Sequence, residues 1–259
     1  MTNPRALVLR APGINCNRET EFALSRAGAR AETRALSQCL ADPSVIENAQ
    51  ILVFPGGFSF GDDLGAGRMF ALSMRRRLDS SLQTFLERGG LVLGICNGFQ
   101  ALVALGLLPS PERAALVTNQ SGHYECRWVR LKSIDEHRCA YLPQGLELEL
   151  PVAHAEGRLL FESPAVAERL CDEGQTPLRY VDASGEATTD FPDNPNGAPL
   201  GIASLCDPTG RIFGLMPHPD RAFLPHHSRG LGALRSGATV DSPGAVIFDG
   251  IVSQSRELV

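Results

Sequence analysis

The first half of the chain alternates short apolar runs with helical patterns. Ala6-Leu7-Val8-Leu9 reads as a strand, followed by a Pro-Gly loop over Ala11–Asn17 and a helix from about Glu19 to Ala27. Ile51-Leu-Val-Phe54 is apolar at every position and stops at Pro55-Gly56-Gly57. Without polar alternation it predicts a strand buried on both faces, as in a parallel sheet. Leu78, Leu82, Phe85 and Leu86 recur at helical spacing until Gly89-Gly90. Leu91-Val-Leu93 is then a second buried strand, and Asn97–Leu105 a further helix. This order predicts an α/β fold, with a mostly parallel central sheet flanked by helices on both faces.

The second half changes character. Tyr124–Lys132, Leu146–Ala153, Leu178–Val181, Leu200–Leu205 and Arg211–Met216 are strand candidates between turn-rich pieces, which predicts antiparallel strands added to the parallel core. Asp190–Gly197 contains two prolines and an Asn-Gly pair, so it is a loop. Residues 222–243 are rich in Gly, Ser and His and read as a surface excursion before a last helix near Ala245–Val252. No repeat or linker divides residues 1–259, so one domain is expected.

Composition narrows the classes. A chain of 259 residues with 43% hydrophobic and 20% charged residues suits a globular core. The net charge of -5 argues against nucleic acid or an anionic membrane as partner, and Arg75-Arg76-Arg77 fits a solvated helix face. No apolar stretch is long enough for a signal peptide or a bilayer span. Seven scattered cysteines with no Cys-x-x-Cys pair suggest reduced thiols in the cytoplasm.

One cysteine stands apart. In Leu91-Val-Leu-Gly-Ile-Cys-Asn-Gly-Phe-Gln100 an apolar strand runs into Gly94-Ile95-Cys96-Asn97-Gly98, and a helix starts at once. This is the logic of the G-x-S-x-G nucleophile elbow with sulfur in place of oxygen. A nucleophile on so sharp a turn leaves no room for side chains two residues either side, hence Gly94 and Gly98. The helix N-terminus favours thiolate, and the N–H of Asn97 is placed as an oxyanion donor. The other six cysteines fit the bland role of small buried residues, with Cys16 set apart by its place in the first loop after a strand.

A thiol nucleophile needs an imidazole. His218 lies in Gly214-Leu-Met-Pro-His-Pro-Asp-Arg221, just past an apolar run. Pro217 and Pro219 fix the backbone on both sides, and in extended chain His218 and Asp220 project together. A carboxylate two residues on can then orient the imidazole. His154, with Glu156 two residues on, is the runner-up base. His226-His227 lack a spaced third ligand, so no metal site is expected.

Taken together, these segments resemble the triad-type (Cys-His-Glu) glutamine amidotransferases, whose nucleophile motif G-x-C-x-G-x-Q appears here as Gly94–Gln100. The likeness is greatest to the amidotransferase subunits of phosphoribosylformylglycinamidine synthase. It is carried by Pro12-Gly-Ile-Asn-Cys16, Gly56-Gly-Phe-Ser-Phe-Gly-Asp62, Gly94–Gln100, Ala153-His-Ala-Glu-Gly-Arg158, Asn194-Pro-Asn-Gly197 and Met216-Pro-His-Pro-Asp-Arg221, spread over nearly the whole chain. The resemblance implies a flavodoxin-like fold and a triad of Cys96, His218 and the acid. It also implies that Gly57 N–H joins Asn97 N–H in an oxyanion hole, and that Gln100, Asn119 and Ser121 lie near the substrate glutamine. Further implied are a large ATP-dependent synthetase subunit as partner, a small bridging subunit, and ATP and Mg on the partner with no cofactor in this chain. The absence of a G-x-x-x-x-G-K-[ST] phosphate loop agrees.

Two departures are visible. Asp220 stands where the family has Glu, and residues 223–259 extend beyond what the motifs account for. Two other readings use the same residues: a stand-alone cysteine hydrolase or deglycase, and a catalytically silent glutamine sensor.

Overall fold

In the computed structural model, which describes residues 3–227 and 242–257, the first half runs β1 (Arg5–Arg10), α1 (Asn17–Arg26), β2 (Arg30–Ala35), α2 (Leu36–Ala41), α3 (Ser44–Glu47), β3 (Ile51–Phe54), α4 (Arg68–Arg77), α5 (Asp79–Glu87), β4 (Leu91–Ile95) and α6 (Asn97–Leu105). The second half holds β5 (Ala114–Val117), β6 (Glu125–Ser133), β7 (Glu147–His154), β8 (Arg158–Phe161), α7 (Pro164–Asp172), β9 (Leu178–Val181), β10 (Ser204–Cys206), β11 (Ile212–Leu215) and α8 (Ala245–Arg256).

The all-apolar runs become the middle of a six-stranded sheet of order β10-β11-β4-β3-β1-β2. Every pairing is parallel except β10 with β11. Residues of β3 and β4 are buried at every position, which is what lack of alternation predicts for a sheet covered on both faces. The sheet is flanked by helices: α8 packs on β3 and against α1, while α6 packs on β4 with α4 against it. Phe54 meets Phe70 at a centroid distance of 5.3 Å under α4.

The second-half strands add antiparallel pairs to the parallel core, as expected, but most of them form sheets of their own. Only β10 and β11 join the central sheet; β6 pairs with β7 and β9 in a three-stranded antiparallel sheet, and β5 pairs with β8 in another. Leu200–Leu205 is not one strand. Pro199–Gly201 forms a helical turn with Leu200 at φ +53°, and the strand is confined to Ser204–Cys206. Asp190–Gly197 is loop, as its prolines require.

The excursion over 222–243 is only partly assessable, since 228–241 lie outside the described residues. Its start is not surface: Ala222 and Phe223 are buried, and Phe223 meets Phe248 of α8 edge-on at 5.8 Å. A turn of helix over Pro225–His227 follows.

The sheet reverses its direction of growth between β1 and β3, and a crevice beyond the carboxyl ends of the strands is where such folds bind ligands. Four adjacent strands end there. The loop after β1 carries Cys16, that after β3 Gly56 and Gly57, that after β4 Cys96, and that after β11 His218.

Candidate active site

Cys96 sits between β4 and α6 at φ +51°, ψ −107°. An L-residue held in that region is strained, a condition that the surrounding packing must impose. The flanking glycines show how. A Cβ on Gly98 would fall 1.7 Å from the Phe54 carbonyl oxygen, and one on Gly94 would fall 2.5 Å from Leu102 Cδ1. The N–H of Cys96 donates to Leu215 O on β11 (2.8 Å), fixing the elbow to its neighbour strand. Asn97, the first residue of α6, keeps an N–H among those with no intrahelical partner.

Gly57 lies at φ +147° opposite Ile14, where a Cβ would be 2.7 Å from Ile14 Cα. The backbone hydrogen bonds that tie these two loops run from Phe60 N to Pro12 O (2.7 Å), Phe58 N to Gly13 O (3.1 Å) and Cys16 N to Gly56 O (3.2 Å). None of the three uses the Gly57 N–H. The Asn97 side chain ties the same loop to the elbow: it accepts from Ser59 N (3.1 Å) and donates to Asp62 Oδ1 (2.9 Å).

His218 follows β11, and its N–H donates to Pro151 O on β7 (2.8 Å). Both His218 and Asp220 are almost wholly buried, and Nδ1 of the imidazole lies 3.2 Å from Asp220 Oδ1. The other ring nitrogen, Nε2, has no hydrogen-bond partner among the described residues, which leaves it available to a thiol. Burial opposes a charge on this ring, yet Cys96, Asp220 and Cys16 together hold its pKa well above the usual histidine range. An imidazolium beside a cysteine is the charge arrangement of an activated thiol.

A family model described as a CobB/CobQ-like glutamine amidotransferase domain matches residues 3–252. A protein of Dehalococcoides mccartyi named phosphoribosylformylglycinamidine synthase subunit PurQ is 45% identical over 264 aligned positions, covering all of both chains. A Methanococcus maripaludis protein of the same name is 42% identical, covering 85% of this chain and 83% of that one. The chain belongs to the PurQ family of glutamine amidotransferase subunits. In three dimensions it is similar to a chain of PurLQS from Thermotoga maritima, with TM-score 0.73 and 30% identity over 97% of this chain and 99% of that one. Since the family model reaches residue 252, most of the tail that the motifs left unexplained falls within that amidotransferase match, including the first part of α8.

The polar groups of the remaining expected residues are already engaged by the chain's own bonds. Gln100 donates from Nε2 to Glu156 O (2.5 Å) and accepts from Asn97 Nδ2 at Oε1 (3.0 Å). Its amide therefore ties α6 to the loop after β7. Asn119 is also fully engaged: Nδ2 donates to His123 O and His154 O, and Oδ1 accepts from Gly157 N (2.9 Å). Ser121 is exposed, and its hydroxyl donates to Glu125 Oε1 (2.7 Å).

His154, the runner-up base, is placed differently. Its Nδ1 lies 3.1 Å from Asn119 Oδ1, and burial together with repulsion from His218 pushes its pKa down to about 3. A neutral ring of so low a basicity is poorly matched to proton transfer near neutral pH. Glu156 points elsewhere too, accepting from Ala66 N (3.2 Å). The carboxylate that lies beside the His218 ring is that of Asp220.

Sequence reasoning missed three residues that interact with these side chains. Glu125 is buried at the start of β6 and is bonded by Ser121 and Arg127 (2.6 Å). Tyr124 stacks on Phe58 at 6.3 Å, and burial, with Cys96 close by, raises its pKa above the usual tyrosine value. Arg221 donates from Nη2 to Cys16 Sγ at 3.0 Å. A charged residue at a strand end reads as solvated, so Glu125 gave no signal; Arg221 lay in a quoted motif, but its partner is 205 residues away.

Proposed function

We propose that this chain is the glutaminase subunit of a phosphoribosylformylglycinamidine synthase, with residues 1–259 acting as one amidotransferase domain. What carries the reading is Cys96, held at φ +51° on its elbow and coupled electrostatically to a buried His218–Asp220 pair. The PurQ relatives specify which amidotransferase it is.

His218 takes the thiol proton of Cys96, and Sγ attacks the side-chain amide carbon of glutamine. The oxygen that becomes negative is met by the N–H groups of Asn97 and Gly57. The tetrahedral adduct collapses as the C–N bond breaks, and His218 gives its proton to the departing nitrogen, releasing ammonia. Water then adds to the glutamyl thioester with His218 as base; the C–S bond breaks, and glutamate and the free thiol result. Asp220 holds the imidazole by Nδ1 throughout. Gln100, Asn119 and Ser121, their polar groups held by bonds within the chain, shape the walls around the glutamine.

Ammonia passes to a large ATP-dependent synthetase subunit, which converts formylglycinamide ribonucleotide to the amidine in purine biosynthesis, with a small bridging subunit as a further partner. ATP and Mg belong to the synthetase, and this chain carries no cofactor. The ligand-type atoms of Cys16, His218 and Asp220 lie within 4.8 Å of one another, but the Arg221 guanidinium against Cys16 opposes a metal cation there. The cytoplasm is the proposed compartment. Supporting it, all seven cysteines are free thiols.

The test is to reconstitute the chain with its synthetase and measure ATP-dependent amidine formation with glutamine or with ammonium. Glutamine should support synthesis only when this chain is present. Glutamine hydrolysis of full rate by the isolated chain, with no gain in the complex, would favour a stand-alone hydrolase; a complex that never consumes glutamine would favour a sensor.

A further inference from the structure

Cys16 heads α1 and is completely buried. A small apolar residue in such a place needs no polar neighbours, yet this sulfur has several. Arg221 donates to it at 3.0 Å, and Asn15 Oδ1 lies 3.2 Å away. It is also within 4.8 Å of a ring nitrogen of His218 and of an Asp220 carboxylate oxygen. The packing between them is close: a Cβ on Gly56 would stand 2.6 Å from His218 Cε1, 3.3 Å from Nδ1 and 3.3 Å from Cys16 Sγ. Glycine at 56 thus lets the sulfur and the imidazole face each other across bare backbone.

The acid on its own is short of reach. A charge-assisted N–H···O bond is usually about 2.7–2.9 Å long, and that from His218 to Asp220 is 3.2 Å, with Asp220 Oδ2 making no bond among the described residues. We infer that Cys16 is a second positioning residue for His218, its Sγ fixing the Nδ1 side of the imidazole jointly with Asp220 and itself held by Arg221. This rests on the glutaminase reading above. Sequence spacing supplies the parts. Cys16 ends the loop of β1 and Arg221 ends the turn after β11, so strands at opposite sides of β3 and β4 are joined behind the base.

The charged and titratable groups around His218 are Cys96 on the elbow, Asp220 and Arg221 on its own turn, Cys16 ahead of α1, His154 on β7 and Tyr124 at the start of β6. Removing Cys16 deletes one of the groups that favour the imidazolium, so the ring should lose its proton at lower pH.

The experiment uses the reconstituted complex and follows glutamine-dependent turnover across pH, with ammonium-dependent synthesis as the check on assembly. Cys16→Ala should lower kcat about tenfold, the size expected for one hydrogen bond to a charged group. KM for glutamine should stay within about twofold, because no substrate contact is lost, and the basic limb of kcat/KM should move to lower pH. Cys16→Ser keeps an acceptor for both neighbours and should recover most of the rate. Because Cys16 and Arg221 act as a unit, Cys16→Ala with Arg221→Gln should be no slower than the slower single variant. A Cys16→Ala enzyme with parental kcat and limb overturns the inference. So does a slowed enzyme whose basic limb stays put and which Cys16→Ser does not rescue, since that is a packing defect. A parent complex without glutamine turnover would sink the functional reading and this inference with it.

Discussion

Gly98→Ala is the sharpest test of the elbow. The added methyl would sit 1.7 Å from Phe54 O and 2.4 Å from Phe54 C, whereas real Cβ contacts essentially never fall below 3.0 Å. The obstacle is backbone in β3, paired on both sides, so it cannot swing away as a side chain can. Helix α6 must instead retreat by more than an ångström, taking Asn97 and the Cys96 turn with it. Overpacking a tight interior site costs about 1–3 kcal/mol, and this one belongs at or above the upper end. A displacement of about 1 Å at a reacting group can cost roughly a hundredfold in rate. Gly94→Ala is the comparison: its nearest clash, at 2.5 Å, is with Leu102 Cδ1, the far end of a side chain that can rotate. Urea denaturation and glutaminase turnover of the assembled complex should therefore rank Gly98→Ala well below Gly94→Ala in both. A Gly98→Ala protein within about 1 kcal/mol of the parent and fully active would show that the contact with β3 does not shape the elbow.

Three further outcomes are expected. Cys96→Ala should abolish glutamine-dependent synthesis while ammonium-dependent synthesis by the complex survives; loss of both in an intact complex would refute the division of labour. Asp220→Asn should lower glutaminase turnover about ten- to a hundredfold, less than Cys96→Ala, because a thiol leans less on the third member of the triad. Asp220→Glu should be tolerated, and equal rates for parent and Asp220→Asn would remove Asp220 from the machinery. His154 has its pKa depressed to about 3 in the folded chain, so its contribution is present above the ordinary histidine pKa and is lost as pH falls from there towards 3. His154→Gln should accordingly flatten the acid side of the stability–pH curve, and an unchanged slope in urea melts between pH 6 and 4 would count against this.

How much could be read without coordinates varies by element. β3 and β4 announced themselves because burial on both faces removes every polar position, and the start of α6 was marked by the elbow. Cys96, His218 and Asp220 were legible because glycines and prolines restrict the backbone near them. β2 was missed, since Arg30–Ala35 is an edge strand with no buried position and hardly an apolar face. α7 was hidden behind Pro164, which serves as its first residue. The three-stranded sheet could not be assigned because periodicity identifies a strand and says nothing of its partner. The same limit applied to the walls of the site. Asn119 and Gln100 could be placed near the elbow, but not their amides' commitment to Gly157 N and Glu156 O.

The pairing of β4 with β11 has a consequence for how the molecule fails. Ile95 stands opposite Leu215, and the amide of Cys96 is bonded to the Leu215 carbonyl, so the thiol's own residue belongs to the ladder that brings the imidazole's turn alongside. Fraying at the chain ends, or opening of the loops at the lip, leaves that spacing untouched. Exchange of the Cys96 amide proton with deuterium should thus proceed only through openings as costly as unfolding the sheet itself. On progressive denaturation, glutaminase capacity and the central sheet should disappear in one cooperative step, with no inactive but folded species accumulating beforehand.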